Sequence, residues 1–212
     1  MLSIGLKMQT CRISFLQKSD ISEASRVLSE AMLKVPIHIA IFQGQGEKQR
    51  NIIAKTFFEL LTDLPGITFL ATIGTQIVAV MRMKSCDGST VTEERAQPEK
   101  VNNLEWRKSH WRNEWARHDP LKQHWHLGPV GVLPSHQGKG IGTILLNRFC
   151  KEVDACFAPA YLETDSDKNV RFYERFGFEV VQETGIFNVK NYFMWRHPVT
   201  PKGESIKGGR DW

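Results

Sequence analysis

The 212-residue chain contains no C-x-x-C pair; its four cysteines, Cys11, Cys86, Cys150 and Cys156, stand well apart. Thiols spaced this way point to a reduced compartment rather than a disulfide framework or a zinc ribbon. Long apolar runs are missing too. The longest uncharged stretch, Leu64 to Met81, is broken by Pro65, Gly66, Thr68, Thr72, Gly74, Thr75 and Gln76, whereas a membrane span needs roughly 20 mostly apolar residues. Met1 to Arg12 hold no apolar core of the sort a secretory signal carries, so the expectation is a cytoplasmic protein with no membrane partner. Nor is charge gathered into blocks. The 28 Lys+Arg and 23 Asp+Glu leave +5, with a pI near 9.1, spread along the chain. So mild a surplus suits an anionic small molecule as well as a nucleic acid. What is present, 41% hydrophobic and 24% charged residues, is an ordinary globular composition that excludes wholesale disorder, collagen and coiled coil.

Apolar periodicity organises the first third as strand, helix, helix. Arg12–Leu16 reads as a strand. Asp20 with Glu23 three positions on reads as a capping box opening a helix with Ile21, Ala24, Val27, Leu28 and Ala31 on one face. Ile52, Ile53, Thr56, Phe57, Leu60 and Leu61 mark a second helix that stops at Leu64-Pro65-Gly66. Ile67–Ile73 and Gln76–Met83 form a hairpin through Gly74-Thr75, a Gly-X pair suited to a type II′ turn.

Residues 87 to 123 differ in character, with seven acidic and seven basic residues and three of the six tryptophans. Val101, Leu104, Lys108, Trp111 and Trp115 fall at helical spacing, so a helix with an aromatic face is expected in what looks like an insertion. That face either packs on the core or forms a lid over a pocket. From Gln123 the order becomes strand (Trp125–Leu133), helix (Gly142–Cys156), strand (Ala160–Thr164), short helix (Asn169–Phe176) and two strands (Phe178–Glu183, Val189–Trp195). Such alternation makes a three-layer α/β (α+β) fold, a mixed central sheet flanked by helices. The domain runs over residues 1–196, and the Pro- and Gly-rich stretch 197–212 is expected to be a flexible tail.

The segment Val130-Gly131-Val132-Leu133-Pro134-Ser135-His136-Gln137-Gly138-Lys139-Gly140-Ile141-Gly142-Thr143 reads as strand, turn, glycine loop and helix start. Glycines let the backbone approach a ligand, and the first N–H groups of a helix lack intrahelical partners, so this is an anion cradle suited to a pyrophosphate. A P-loop fails here, because Lys139 is followed by Gly140 and position 133 is Leu. The dinucleotide fingerprint fits Gly138 and Gly140 but meets Thr143 at its third small position, with Leu133 to Gln137 intervening after the strand.

Gln137-x-x-Gly140-x-Gly142, preceded by Val132-x-Pro134, resembles the acyl-CoA loop Q/R-x-x-G-x-G/A of the GNAT superfamily of N-acetyltransferases. Tyr161-Leu162-Glu163-Thr164 and Asn169-Val170-Arg171-Phe172-Tyr173-Glu174-Arg175-Phe176-Gly177-Phe178 are similar to that family's next strand and its Y-E-x-x-G-F helix. The segment His124 to Pro129 is similar to a branch that includes puromycin N-acetyltransferase. The resemblance implies an acetyl-CoA-dependent transferase in which the strands on either side of the cofactor splay. Pantetheine would then lie along Val130, Gly131 and Val132, and the pyrophosphate on Gly138, Lys139, Gly140, Ile141, Gly142 and Thr143, with help from Gln137. It also implies Tyr173 as the proton donor to the CoA sulfur, in contact with the cofactor. Where many members have an asparagine on the cofactor, this chain has Ser166, and Asn169 is the other candidate for that contact.

The implied acceptor is a primary amine of a small molecule or peptide. An ordinary alkylammonium near pKa 10.4 lies about three units from neutral at pH 7.4, worth about 4 kcal/mol, so a group must take its proton. Glu163, His126 and His124 are candidates. Two other functions stay open: an inactive acyl-CoA-binding regulatory module, and a nucleic-acid surface over Trp106 to Trp115, which the balanced charge of residues 87–123 argues against. No metal is expected, since His124-x-His126 is the only close ligand pair. A monomer or homodimer is expected.

Overall fold

The computed structural model describes residues 10–88 and 102–199. Elements follow in the order β1 (Arg12–Phe15), α1 (Ile21–Met32), α2 (Pro36–Phe42), α3 (Glu47–Asp63), β2 (Ile67–Ile73), β3 (Gln76–Cys86), α4 (Leu104–Ala116), β4 (His124–Val132), α5 (Ile141–Ala155), β5 (Ala160–Thr164), α6 (Asp167–Glu174), β6 (Phe178–Ile186) and β7 (Val189–Arg196). Seven strands form one sheet in the order β1-β2-β3-β4-β5-β7-β6. All neighbours are antiparallel except β4 and β5. The mixed sheet flanked by helices agrees with the fold class read from the sequence.

The two faces of the sheet are covered differently. On one, α5 buries Ile141, Leu145, Leu146, Phe149 and Val153 against Phe69, Ala79, Met81, Leu127 and Leu162. Truncating a residue such as Phe149, which is fully buried, would cost about 3–5 kcal/mol. On the other face, Val27 and Leu28 of α1 join Ile37 and Ile41 of α2, Ile53 and Phe57 of α3, and Leu70 and Val80 of the sheet. Gly131 permits that contact: a Cβ there would lie 2.9 Å from the Ala31 Cβ and 3.0 Å from Leu28 Cδ2.

Several local expectations are corrected. Asp20 does not cap α1 in a box with Glu23; its carboxylate accepts from the Gln17 N–H at 3.1 Å, and Glu23 pairs with Arg26 instead. The helix α2, which the apolar periodicity did not mark, begins at Pro36, which suits a first helical position. Cys156, taken from the sequence as the last residue of that helix, lies beyond the end of α5 and is exposed. The β6–β7 connection is shorter than expected. Phe187 and Asn188 both have positive φ, 51° and 61°, and turn the chain in two residues. Phe187 is braced there by the rings of His110 and Trp106, at 5.1 and 6.0 Å.

The expected insertion helix is present as α4, with Asn103 capping it through the Trp106 N–H at 2.9 Å. Leu104, Trp111 and Trp115 pack on the cores, as the packing alternative requires. Arg107 is buried and staples the element down: Nε donates to the Ile41 carbonyl at 2.6 Å and Nη1 to the Asn102 carbonyl at 2.7 Å. Val101, the first part of the insertion and residues 200–212 of the expected tail lie outside the described residues.

Candidate active site

The site begins where two strands part. β4 and β5 are parallel neighbours only at Trp125↔Ala160 and His126↔Tyr161, although β4 continues to Val132. Along β3 the same strand carries a bulge, with Gly128 and Pro129 opposing the single residue Arg82 between the pairs Met83↔Leu127 and Met81↔Val130. Pro129 has no N–H to lose at this bulge. Beyond His126, the edge of β4 that carries Val130, Gly131 and Val132 therefore has no strand partner on the β5 side. Such an edge is a ready template for an extended ligand.

The glycine loop follows directly. Gly138 and Gly140 have φ of +75° and +80°, a region that only glycine enters cheaply, and a Cβ at either would meet nothing within 4 Å. Gly140 is the N-cap of the fifteen-residue α5, so the N–H groups of Ile141, Gly142 and Thr143 lie in its first turn. Gln137 Nε2 donates to the Val132 carbonyl at 3.0 Å and ties the loop back to β4. Lys139 is exposed beside the glycines.

Where β4 and β5 separate, His126 Nε2 donates to Glu163 Oε2 at 2.8 Å, with side-chain exposures of 15% and 4%. Burial opposes a charged imidazole, but the Glu163 carboxylate, with the neighbouring Cys86 sulfur, overcomes it and raises His126 to about 9. His126 is therefore protonated at neutral pH, unlike the half-neutral ring expected from its ordinary range near 6.5. His124 is tied elsewhere: Nδ1 donates to the Lys122 carbonyl at 2.7 Å, and its ring packs edge-on against Tyr161 at 5.5 Å. Asp119, following α4, also faces this cluster; burial first and Glu163 second push its carboxyl up. The sequence did not flag Asp119, because its proximity depends on how the insertion folds back.

Tyr173 lies on α6 between the rings of Phe172 and Phe178, at 5.3 and 6.0 Å. Burial and then the Asp165 charge push its hydroxyl upward, so the phenol stays neutral. Asp165, just past β5, accepts from the Ile37 N–H in the first turn of α2 at 2.7 Å, fixing α2 to this end of the site. Nothing in the sequence ties two residues so far apart. Of the two candidates for the cofactor-facing polar group, Asn169 donates to Thr164 Oγ1 at 3.2 Å, while Ser166 stands at the N-cap of α6 without a side-chain bond to it. Among the described residues no group of three or more His, Cys, Asp or Glu is arranged to hold a metal ion, and no helix is long and apolar enough to cross a membrane.

A mixed sheet that opens after its parallel rungs, with a glycine loop over a helix N-terminus below the opening, defines an acyl-CoA N-acyltransferase fold. The chain belongs to the acetyltransferase (GNAT) family, whose model matches residues 37–178. Its fold is similar to that of the Corynebacterium glutamicum protein described as histone acetyltransferase HPA2 and related acetyltransferase, at TM-score 0.65 and 19% identity over 91% of this chain and 98% of that one. The ribosomal-protein-S18-alanine N-acetyltransferase of Escherichia coli matches at TM-score 0.57 and 15% identity, over 96% and 99% of the two chains. A GNAT family acetyltransferase of Brucella melitensis, solved in complex with acetyl-CoA, matches at TM-score 0.51 and 17% identity, over 95% and 97%.

Proposed function

We propose that the protein is an acetyl-CoA-dependent N-acetyltransferase acting on a primary amine of a small molecule or peptide by direct attack on the thioester. The observation that carries this reading is the juxtaposition of three features: the unpartnered edge of β4, the open Gly138–Gly140 cradle under it, and the His126–Glu163 pair at the mouth. Acetyl-CoA, solved with the Brucella melitensis relative, supplies the activated acetyl group. Backbone groups of Val130, Gly131 and Val132 hold the pantetheine arm; the N–H groups from Gly138 to Thr143, with the Lys139 charge, hold the pyrophosphate. In this reading Asn169 and Tyr173 contact the cofactor as well.

The fraction of the His126–Glu163 pair whose imidazole is neutral takes the proton of the acceptor ammonium, and that fraction grows as pH rises toward about 9, so transfer should quicken over that range. The two groups titrate as a unit, so the apparent value belongs to the pair. Tyr173, kept as a neutral phenol, donates a hydrogen bond to the departing thiolate, and its raised hydroxyl favours that bond over full transfer of the proton. The reading takes the protein as cytoplasmic, a monomer or homodimer, with no nucleic-acid or membrane partner. The aromatic side chains of the insertion make hydrophobic or ring-bearing amines the natural members of a first panel.

The test is release of free CoA thiol from acetyl-CoA across a panel of primary amines and peptides, with mass detection of the acetylated product. Amine-dependent release with a matching product supports the reading. Tight acetyl-CoA binding with no transfer to any amine would instead favour a binding module.

A further inference from the structure

Arg82 of β3 lies directly opposite Thr68 of β2, so the two side chains share one face of the sheet. The guanidinium passes close under Gly66, where a Cβ would come within 2.7 Å of Cζ. Its Nη2 donates to the Leu64 carbonyl at 3.0 Å and to the Pro65 carbonyl, just past the end of α3. Those bonds fix the group in place and occupy one of its three nitrogens. Nε and Nη1 have no hydrogen-bond partner among the described residues, and neither has the Thr68 hydroxyl. Arg82 is 4% exposed, burial works against its charge, and no carboxylate of the described residues acts on it. A cation so placed, with N–H groups to spare, is short of an anion.

The same side chains line a groove. Its volume is about 320 Å³, within the range of small-ligand sites. Phe15, Leu61, Leu64 and Ile67 form its walls, with Thr68 and Arg82 as its polar groups. Phe15 and Leu64 are 54% and 57% exposed, so apolar surface stands open to water beside the buried cation. The groove shares no lining residue with the Gly138–Thr143 cradle or with His126 and Glu163.

We propose that this groove is a binding site for a small monocarboxylate with an apolar body, an alkanoate of medium chain length, its oxygens on Arg82 and Thr68 and its chain along Phe15, Leu61, Leu64 and Ile67. Charge selects the head, because the planar N–H groups of a guanidinium match the two oxygens of a carboxylate. One cation balances one negative charge. A dianionic phosphate would bring a second charge among apolar walls with nothing to match it. The walls select the tail, since covering Phe15 and Leu64 removes apolar surface from water.

The site does not depend on the transferase reading, and its test uses neither acetyl-CoA nor an amine. The protein is titrated at pH 7.5 with octanoate, octan-1-ol and acetate, with affinity read by calorimetry and location by amide NMR shifts. Octanoate should bind with a sub-millimolar Kd and move the amides of Gly66, Ile67 and Thr68 while leaving those of Gly138 to Thr143 in place. Octan-1-ol, which keeps the chain and lacks the charge, should bind at least about tenfold more weakly. Acetate, which keeps the charge and lacks the chain, should do the same. Leu64→Asp, at an exposed position, sets a carboxylate against Arg82 and should weaken octanoate at least about tenfold. Thr68→Val keeps the side-chain shape without the hydroxyl and should weaken it about fivefold. Phe58→Ser, at an exposed apolar residue outside the groove, should leave the affinity unchanged. No binding of octanoate, equal affinity for octan-1-ol, shifts confined to Gly138–Thr143, or parental affinity in both Leu64→Asp and Thr68→Val would each overturn the proposal, whether or not any amine proves to be a substrate.

Discussion

His126 and Glu163 meet at 2.8 Å across the last rung that joins β4 to β5, so one charge-assisted hydrogen bond spans the point where the sheet opens. The bond depends on topology. His126 is the last β4 residue paired with β5, and Glu163 lies two positions beyond its partner Tyr161, on the same face. A buried imidazolium is tolerable there because a carboxylate faces it.

Replacing Glu163 with Gln removes that charge and leaves the burial. The His126 titration, followed by NMR, should then fall from about 9 by more than about one unit. A group raised in the folded state stabilises fully below its unfolded value near 6.5 and loses that contribution as pH rises to about 9, so the variant should lose stability mainly below pH 9. Amine acetylation should drop by about 10²-fold or more.

Tyr173→Phe removes a hydroxyl without altering the ring packing against Phe172 and Phe178. The expectation is a fall in kcat of about 10²-fold with acetyl-CoA affinity nearly unchanged, measured by steady-state kinetics and calorimetry. A variant with full kcat would take Tyr173 out of the reaction.

His38 is buried among Phe42, Phe57 and Trp111, with Nδ1 unpartnered, and burial lowers it to about 4. Above its unfolded value near 6.5 the group is neutral in both states. As pH falls from there toward 4, the unfolded chain binds a proton that the folded one refuses, costing about 2 kcal/mol by pH 5. His38→Leu should flatten this loss, seen as a smaller drop in Tm between pH 7.5 and 5 than in the parent.

Arg107→Ala leaves the Ile41 and Asn102 carbonyls without their donor and should destabilise the protein by about 2 kcal/mol in urea unfolding. Arg107→Lys should recover little, because one ammonium cannot reach both carbonyls in the geometry of a guanidinium fork.

Local signals carried the sequence reading far. The helical spacing of Leu145, Leu146, Phe149 and Val153 and the turn at Gly74-Thr75 depend on neighbours in the chain, and they fold as expected. The Gly138–Thr143 loop was legible for the same reason. What stayed hidden depends on partners distant in sequence: Asp165 on Ile37, Asp119 beside Glu163, and Cys86 opposite His124, which only strand register brings to it. The Phe187-Asn188 turn was missed because an aromatic residue at positive φ is disfavoured locally and is held here by rings from α4.

The central claim is that the Gly138–Thr143 cradle and the edge of β4 hold acetyl-CoA, and isothermal calorimetry on the parent and on Gly140→Ala addresses it most directly. An alanine at φ +80° costs about 1 kcal/mol in the free protein but meets no protein atom within 4 Å, so the variant should stay folded. The account predicts a Kd on the order of micromolar for the parent and at least about tenfold weaker binding for the variant, since the added methyl projects into the cradle. No heat of binding with the parent, or equal affinity in both proteins, would contradict it.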